Sequence, residues 1–338
     1  MRFDGRHDGV FGAGVQRCEF QIVVAGVNAD TLVSERAFPL DAGDRFQRYR
    51  FDDLADEPGA VENHPFSRYR PGPIDHSAEK WIGTDRKIPF TETVSAQAII
   101  CEMGLSPQML GAWDFGNKLK YAYHMNAQKF ADTLRDFSVV RGVTHILANV
   151  TNVNRAENGY IESVHTDQGH TLSSDIFVDC TGFSGRLIEQ ELHAGYEDFS
   201  QYLLCDRAAV MRVPYDDYFP GQVRPYTTAT ALSSGWIWDI PMSKLRSIGY
   251  VHSSAFISKE DAAKEVRAYE GKHSEDMDLR FINFKSGRRK VSWKGNCIAS
   301  GLSAGFIEPL ESTGIYLCDL AAVMLAEYFP KRISSMEA

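Results

Sequence analysis

Close to the C-terminal end of this 338-residue chain, the stretch Gly301 to Leu317 (GLSAGFIEPLESTGIYL) gathers the residue types best suited to chemistry. A Gly-bearing loop there joins a predicted strand, Asn296 to Ser300, to an apolar run, Ile315 to Phe329, that reads as a helix. The first amides of a helix have no partner within it and carry the positive end of its dipole. Ser312, Thr313 and Gly314 are therefore placed to hold an anion or the electron-rich edge of a ring, and Gly314 lets a ligand come close to the backbone. Two carboxylates, Glu308 and Glu311, flank Pro309 in the same loop. They suit either capping of the helix amides or acid–base work, and spacing alone does not choose between the two.

A second group lies in Gly235 to Pro241 (GWIWDIP), where Trp236 and Trp238 stand two residues apart and share one face of a strand. Such a pair either packs in a core or walls one side of a ligand cavity. Gly12-Ala13-Gly14 looks like the opening of a dinucleotide fingerprint but fails its requirements. The candidate strand, Glu19 to Val27, follows the glycines instead of preceding them, and Arg17 stands where the third Gly belongs. Cys18, Cys101, Cys180, Cys205, Cys297 and Cys318 have no CxxC spacing and read as small buried hydrophobes. The His residues form no HExxH or comparable pattern, so no protein-bound metal is expected.

The elements that must position these groups are unevenly legible. Residues 1 to about 60 say least, with an acidic stretch, Asp52 to Glu57, reading as a solvated loop. Asn126 can cap a helix to about Val140, in which Phe130, Leu134 and Phe137 recur at helical spacing. His145 to Asn154 and Tyr160 to His165 read as strands joined by a turn at Ala156-Glu157-Asn158-Gly159, since an Asn-Gly pair is a hairpin signal. Thr171 to Cys180 reads as one further strand, and its Ile176-Phe177-Val178 centre suits a parallel sheet covered on both faces. Residues 200 to 256 alternate β-branched, aromatic and polar types, as in an antiparallel sheet. Ser258 opens an exposed helix through Glu270, with Asp261 in a capping-box position. The final run, Ile315 to Phe329, is apolar almost all round and reads as a buried helix.

Bulk composition narrows the classes. With 43% hydrophobic and 24% charged residues the chain is globular. A net charge of -9 without a Lys/Arg block argues against nucleic acid or anionic lipid as partner. The charged start, Met1 to Arg6, is no signal peptide, and no run reaches the roughly 20 apolar residues of a membrane span, so a cytoplasmic location is expected.

Taken together, Tyr121-Ala122-Tyr123-His124, Asp179-Cys180-Thr181-Gly182-Phe183, Tyr202 to Asp206, Gly235 to Pro241 and Glu308 to Tyr316 resemble the flavin-dependent tryptophan halogenases. The resemblance covers about residues 60 to 330, and its most specific phrases are the WxWxIP motif and EPLESTGI. It implies a mixed α/β (α+β) chain: an FAD-binding, glutathione-reductase-like fold with an antiparallel sheet subdomain. Residues 1–120 would be substrate-side, 121–199 and 285–330 FAD-side, and 200–284 the antiparallel sheet. The chemistry implied is that of reduced FAD, delivered by a separate flavin reductase, which with oxygen and halide yields hypohalous acid. That oxidant crosses a tunnel to a lysine, which with a nearby glutamate directs halogen onto an electron-rich ring such as tryptophan or indole.

Carried over position by position, the resemblance makes Glu311 the active-site glutamate and Ser312 its neighbour beside the lysine. It gives the amides of Thr313 and Gly314 to the halide, and Leu302, Ile315 and Val150 to the cofactor, Val150 on the adenine side. His64 and Phe66 fall in the substrate pocket, and Trp236 and Trp238 at the barrier between substrate and flavin. Family members carry a strand, a GxGxxG loop, a helix and the lysine ahead of a phrase like Arg2-Phe3-Asp4-Gly5, and they continue past the helix ending near Phe329. The expectation is thus a chain without the first βαβ unit and the lysine, inactive as it stands and poorly soluble. A non-catalytic remnant acting as an interaction protein is one alternative. A flavin-dependent aromatic hydroxylase is another, although Gly301-Leu302-Ser303-Ala304-Gly305 departs from the GDAAH-like phrase of those enzymes. A homodimer is left open.

Overall fold

The computed structural model describes residues 22–26, 49–52, 61–64, 77–105, 121–215, 223–310 and 313–329. The chain forms two compact units: Met1–Arg36 with Ala127–Leu203 and Lys285–Ala338, and Ala37–Asn126 with Leu204–Phe284.

The first unit is built on a mixed sheet in the order β1-β7-β16-β15, formed by β1 (Ile22–Gly26), β7 (Ile176–Cys180), β15 (Trp293–Lys294) and β16 (Cys297–Ala299). β7 runs parallel to both β1 and β16, while β15 and β16 form an antiparallel pair. Both faces of β7 are covered, as its unbroken apolar centre predicts. Phe177 enters a core with Ile161, Val164, Leu187, Ile188 and Leu192, whereas Ile176 and Val178 meet Leu325 and Phe329 from the other side. Each such side chain contributes about 1.5–3 kcal/mol by leaving water.

Beside that core stands an antiparallel sheet of β4 (Val150–Arg155), β5 (Ile161–Thr166) and β6 (Thr171–Ser173). The Asn-Gly turn between β4 and β5 forms as predicted, with Gly159 at φ +84. Asn296 fastens β5 to the parallel sheet, because its side-chain amide takes both the N–H and the C=O of Ile161 at 2.9 Å. A small sheet of β8 (Tyr196–Asp198), β14 (Gly287–Arg289) and β17 (Gly305–Phe306) completes the unit.

Three expectations change here. Thr171 to Cys180 is two strands, since β6 pairs with β5 and β7 pairs with β1 and β16, so the chain changes sheets at Ser174-Asp175. Strand structure in the segment from His145 begins only at Val150. The final helix, Thr313–Glu327, is not buried: Ile315, Tyr316, Leu317, Leu320, Val323 and Met324 are all exposed. It seats only the stripe Ala321, Leu325 and Phe329 at half-burial, because one helix resting on one sheet face covers a single side of its cylinder. The helix Ala127–Val139 begins directly after Asn126, and its Leu134 and Phe137 are likewise exposed.

The second unit holds one seven-stranded sheet. Its members are β2 (Tyr49–Asp52), β3 (Val61–His64), β9 (Arg207–Pro214), β10 (Thr227–Leu232), β11 (Gly235–Pro241), β12 (Leu245–His252) and β13 (Leu279–Asn283). Their order is β13-β9-β12-β11-β10-β2-β3, antiparallel except where β10 meets β2. Met211, Val213, Ile237, Ile248 and Tyr250 form one buried face, covered by Ala262 and Val266 of the helix Lys259–Glu270. Ser258 caps that helix as predicted, its hydroxyl oxygen accepting the Asp261 amide at 3.1 Å. Asp261 accepts the Ser258 hydroxyl at 2.8 Å.

Candidate functional site

In the first unit the candidate site grows from the end of β16. The Ser300 amide donates to the Asp179 carbonyl at 2.9 Å, and the chain then turns sharply at Gly301, where φ is +61. Only a residue without Cβ adopts that conformation without strain. Ser303 anchors the turn from inside: it is fully buried, and its hydroxyl lies 3.0 Å from Asp179 Oδ1 and 3.1 Å from the Gly182 carbonyl. Arg289 holds the same turn through two backbone carbonyls, with Nε donating to Ser303 at 2.8 Å and its amide donating to Ala304 at 2.7 Å. The Arg289 guanidinium is paired with Glu189 at 2.6 Å and lies over the Tyr196 ring.

Asp179 is the hub. Its carboxylate, fully buried at the end of β7, accepts from Thr181 N and Oγ1, Ser303 Oγ, Leu187 N and Ile188 N. One side chain thereby binds the loop after β7 to the turn after β16. Nothing in the sequence marks Asp179 for this role beyond its place in Asp179-Cys180-Thr181-Gly182, and Ser303 and Arg289 carry no signal at all.

What the anchored turn leaves outward is apolar. Leu302 is 41% exposed and Ile315, in the first turn of the final helix, is 51% exposed. The two elements lie side by side, for a Cβ built on Gly301 would stand 3.4 Å from Cys318 Sγ on that helix. A Cβ built on Gly314 would meet no described atom within 4 Å beyond its chain neighbours and its own helix backbone. Thr313 and Gly314 supply amides that no carbonyl of their own helix can accept, at the positive end of a fifteen-residue dipole. Glu311 and Ser312 lie outside the described residues, and Glu308 is half-buried. Val150 opens β4, pairs with Thr166, and packs at half-burial against the core around Phe177.

In the second unit the sheet puts Trp236 and Trp238 on the same face of β11, ring centroids 6.4 Å apart and edge to face at 63°. Trp236 is buried and Trp238 half-buried, its Nε1 3.4 Å from Ser247 Oγ. Gly249 stands opposite Trp238 on β12, and any Cβ there would overlap the indole. Next along the strand after Trp238, and so on the opposite face, Asp239 is buried against Arg224 and Arg246. Arg246 reaches on to Glu270 at 3.0 Å, and Glu270 to His273 at 2.8 Å. This chain of charges was missed in the sequence because its members are scattered over fifty residues. His124, of the Tyr121 to His124 phrase, is buried with Nε2 3.0 Å from Thr227 Oγ1, and burial pulls its imidazole down to about 4. His64 ends β3 opposite Tyr49, and Phe66 lies outside the described residues.

Among the described residues no cluster of His, Cys, Asp or Glu could hold a metal, and no helix is long and apolar enough to cross a membrane. The profile of the tryptophan halogenase family matches residues 23–338. The chain is 40% identical over 245 residues to tryptophan 7-halogenase RebH of Lentzea aerocolonigenes, an overlap of 72% of this chain and 46% of that protein. It is 34% identical over 302 residues to tryptophan 6-halogenase SttH of Streptomyces toxytricini, covering 83% and 57% respectively. The crystal structure of SttH matches at a TM-score of 0.78 and 35% identity, over 85% of this chain and 58% of that one. The tryptophan halogenase of Shewanella frigidimarina matches at 0.79 and 31%, over 87% and 57%. The chain thus spans about half the length of the curated relatives it matches.

Proposed function

Because this chain belongs to the tryptophan halogenase family, we propose that it serves the halogenation of an electron-rich aromatic ring, such as tryptophan or indole, with FAD as cofactor and chloride or bromide as co-substrate. The supporting observation is the anchored turn at Gly301–Ser303 beside the first turn of the final helix, with apolar Leu302 and Ile315 exposed. Those residues fit a flat, partly apolar ring with an anion next to it. Reduced FAD, delivered by a separate flavin reductase, supplies the electrons that activate oxygen and allow halide to be oxidised.

The chain's own residues do the rest. Leu302 and Ile315 hold the ring system and Val150 the adenine side. The amides of Thr313 and Gly314 hold the halide, where the helix dipole favours an anion. Substitution on an aromatic carbon forms a carbon–halogen bond and must release the ring proton, and Glu311, next to Ser312, accepts it as a general base. His64 and Phe66 line the substrate pocket, and Trp236 and Trp238 keep the substrate away from the flavin.

The test is an assay of the chain, alone and expressed with any coding sequence upstream of Met1, with a flavin reductase, NADH, FAD, oxygen, and bromide or chloride, across a panel headed by tryptophan and indole; activity is expected of the longer form. A halogenated product, lost in Glu311→Gln, is the expected result. Oxygenated product would make the protein a hydroxylase. An absence of product together with a melting temperature unmoved by FAD would make it a non-catalytic member of the family.

A further inference from the structure

The Asn-Gly tip of the β4–β5 hairpin is a motif that the halogenase reading leaves unused. Asn158 is exposed, and its Oδ1 accepts the Tyr160 amide at 3.0 Å, a bond that makes the side-chain carbonyl carbon more electrophilic. Gly159 follows with no side chain to shield its backbone nitrogen, held in the left-handed region at φ +84. Arg155 lies against the same residue. Its Nε donates to the Gly159 carbonyl at 3.2 Å, and its Nη2 stands 3.2 Å from the Cβ position of Gly159. A bond from Nη1 to the Glu191 carbonyl at 3.1 Å fixes the guanidinium there. A polarised amide carbonyl, an unshielded backbone nitrogen and a cation thus share one turn. The other described asparagines lack this set: each is followed by a residue with a side chain, and Asn296 is buried with both amide atoms engaged by Ile161.

We propose that Asn158 is a site of spontaneous modification, at which the folded chain converts its own asparagine to aspartate and isoaspartate. A base takes the Gly159 amide proton, the nitrogen attacks Cγ of Asn158, the bond from Cγ to the side-chain nitrogen breaks, and that nitrogen leaves as ammonia with the proton. A cyclic imide results. Water then opens the ring at Cγ to give aspartate, or at the main-chain carbonyl carbon to give isoaspartate. In sum one water is consumed, one ammonia is released, and no electrons are exchanged. The Gly159 amide donates to the Ala156 carbonyl at 2.9 Å, so each event waits for that bond to open at the hairpin tip. Arg155 then favours the nitrogen anion that attacks. The aspartate product keeps the acceptor for Tyr160 and places a negative charge beside Arg155. The isoaspartate product lengthens the main chain by one carbon and draws Gly159 away from the guanidinium. The site is independent of the flavin reading, because water is the only co-reactant.

The experiment incubates the purified full-length chain at mildly alkaline pH under native conditions, digests it, and follows the peptide holding Asn158 by mass spectrometry and isoaspartyl methyltransferase labelling. The expected result is that this peptide exchanges NH2 for OH and takes up methyl label ahead of the peptides holding the other described asparagines. The intact chain gains one negative charge on ion exchange, where its aspartate form elutes with Asn158→Asp. Arg155→Gln should slow the conversion about fivefold, the effect of one unit charge a few ångström away in a water-like dielectric. Conversion of Asn158 only in urea, or of another described asparagine first, would overturn the proposal. So would an equal or faster rate in Arg155→Gln, because the turn would then add nothing to the bare dipeptide.

Discussion

Ser303 and Asp179 are joined side chain to side chain at 3.0 Å, and through that bond a loop near residue 180 and a turn near residue 300 share one buried carboxylate. Removing the carboxylate in Asp179→Ala strands several buried donors at once, each worth about 1–3 kcal/mol when unsatisfied. The expected loss of stability is at least ~3 kcal/mol, read from the urea midpoint. A loss within 0.5 kcal/mol would mean that the donors find other acceptors. Ser303→Ala deletes a single donor and should cost only about 1 kcal/mol.

Gly249→Ala tests the close approach of β12 to Trp238. The new methyl overlaps the indole, so the ring must rotate or the strands must part. Overpacking of this kind costs about 1–3 kcal/mol. Tryptophan fluorescence should shift as well, since the ring moves within its environment, and an unchanged spectrum with an unchanged melting temperature would refute the packing described.

Asp239 is 1% exposed and bridges Arg224 and Arg246. Asp239→Ala leaves two guanidinium groups with Glu270 as the neighbouring carboxylate, and breaking a buried pair from one side costs about 3–5 kcal/mol. Chemical denaturation of the variant measures this directly. Replacing Arg224 by Met in the same background should recover part of the loss, because the cation that Asp239 had paired is removed while Arg246 keeps Glu270.

His124 makes stability depend on pH. Its imidazole titrates near 4 when folded, against an ordinary value of 6.5, so the neutral form is the one the fold accommodates. Above pH 6.5 the associated stability is fully present. As pH falls from 6.5 toward 4 the unfolded chain gains a proton that the folded chain refuses, and about 3 kcal/mol is lost. His124→Gln should flatten that part of the stability–pH curve, and a wild-type curve already flat there would rule out the buried neutral imidazole.

Features set by neighbouring residues were legible in the sequence. The hairpin at Asn158-Gly159 depends only on a left-handed φ, the start of the 259–270 helix only on the Ser258 hydroxyl, and the shared face of Trp236 and Trp238 only on strand alternation. Features set by distant partners were not. The break at Ser174-Asp175 arises because β6 and β7 pair in different sheets, and no local residue announces that. The final helix is apolar enough for a core, but how much of it is covered depends on the elements brought against it, and here only one stripe finds a partner. Of the candidate site, Leu302, Gly314 and Ile315 were named from the motif alone, whereas the part of Asp179, Ser303 and Arg289 in holding the turn is visible only in three dimensions.

The parallel pairing of β7 with β16 has a consequence for how the protein is made. Ile176 and Val178 leave the ribosome more than a hundred residues before Cys297 to Ala299, the strand that satisfies one edge of β7, is synthesised. At roughly 5–20 residues per second that edge waits on the order of 10 s, with its amides and carbonyls able to pair with any nascent neighbour. Overexpression should therefore lose yield to co-translational aggregation, and slowed synthesis with abundant holdase chaperones should recover it.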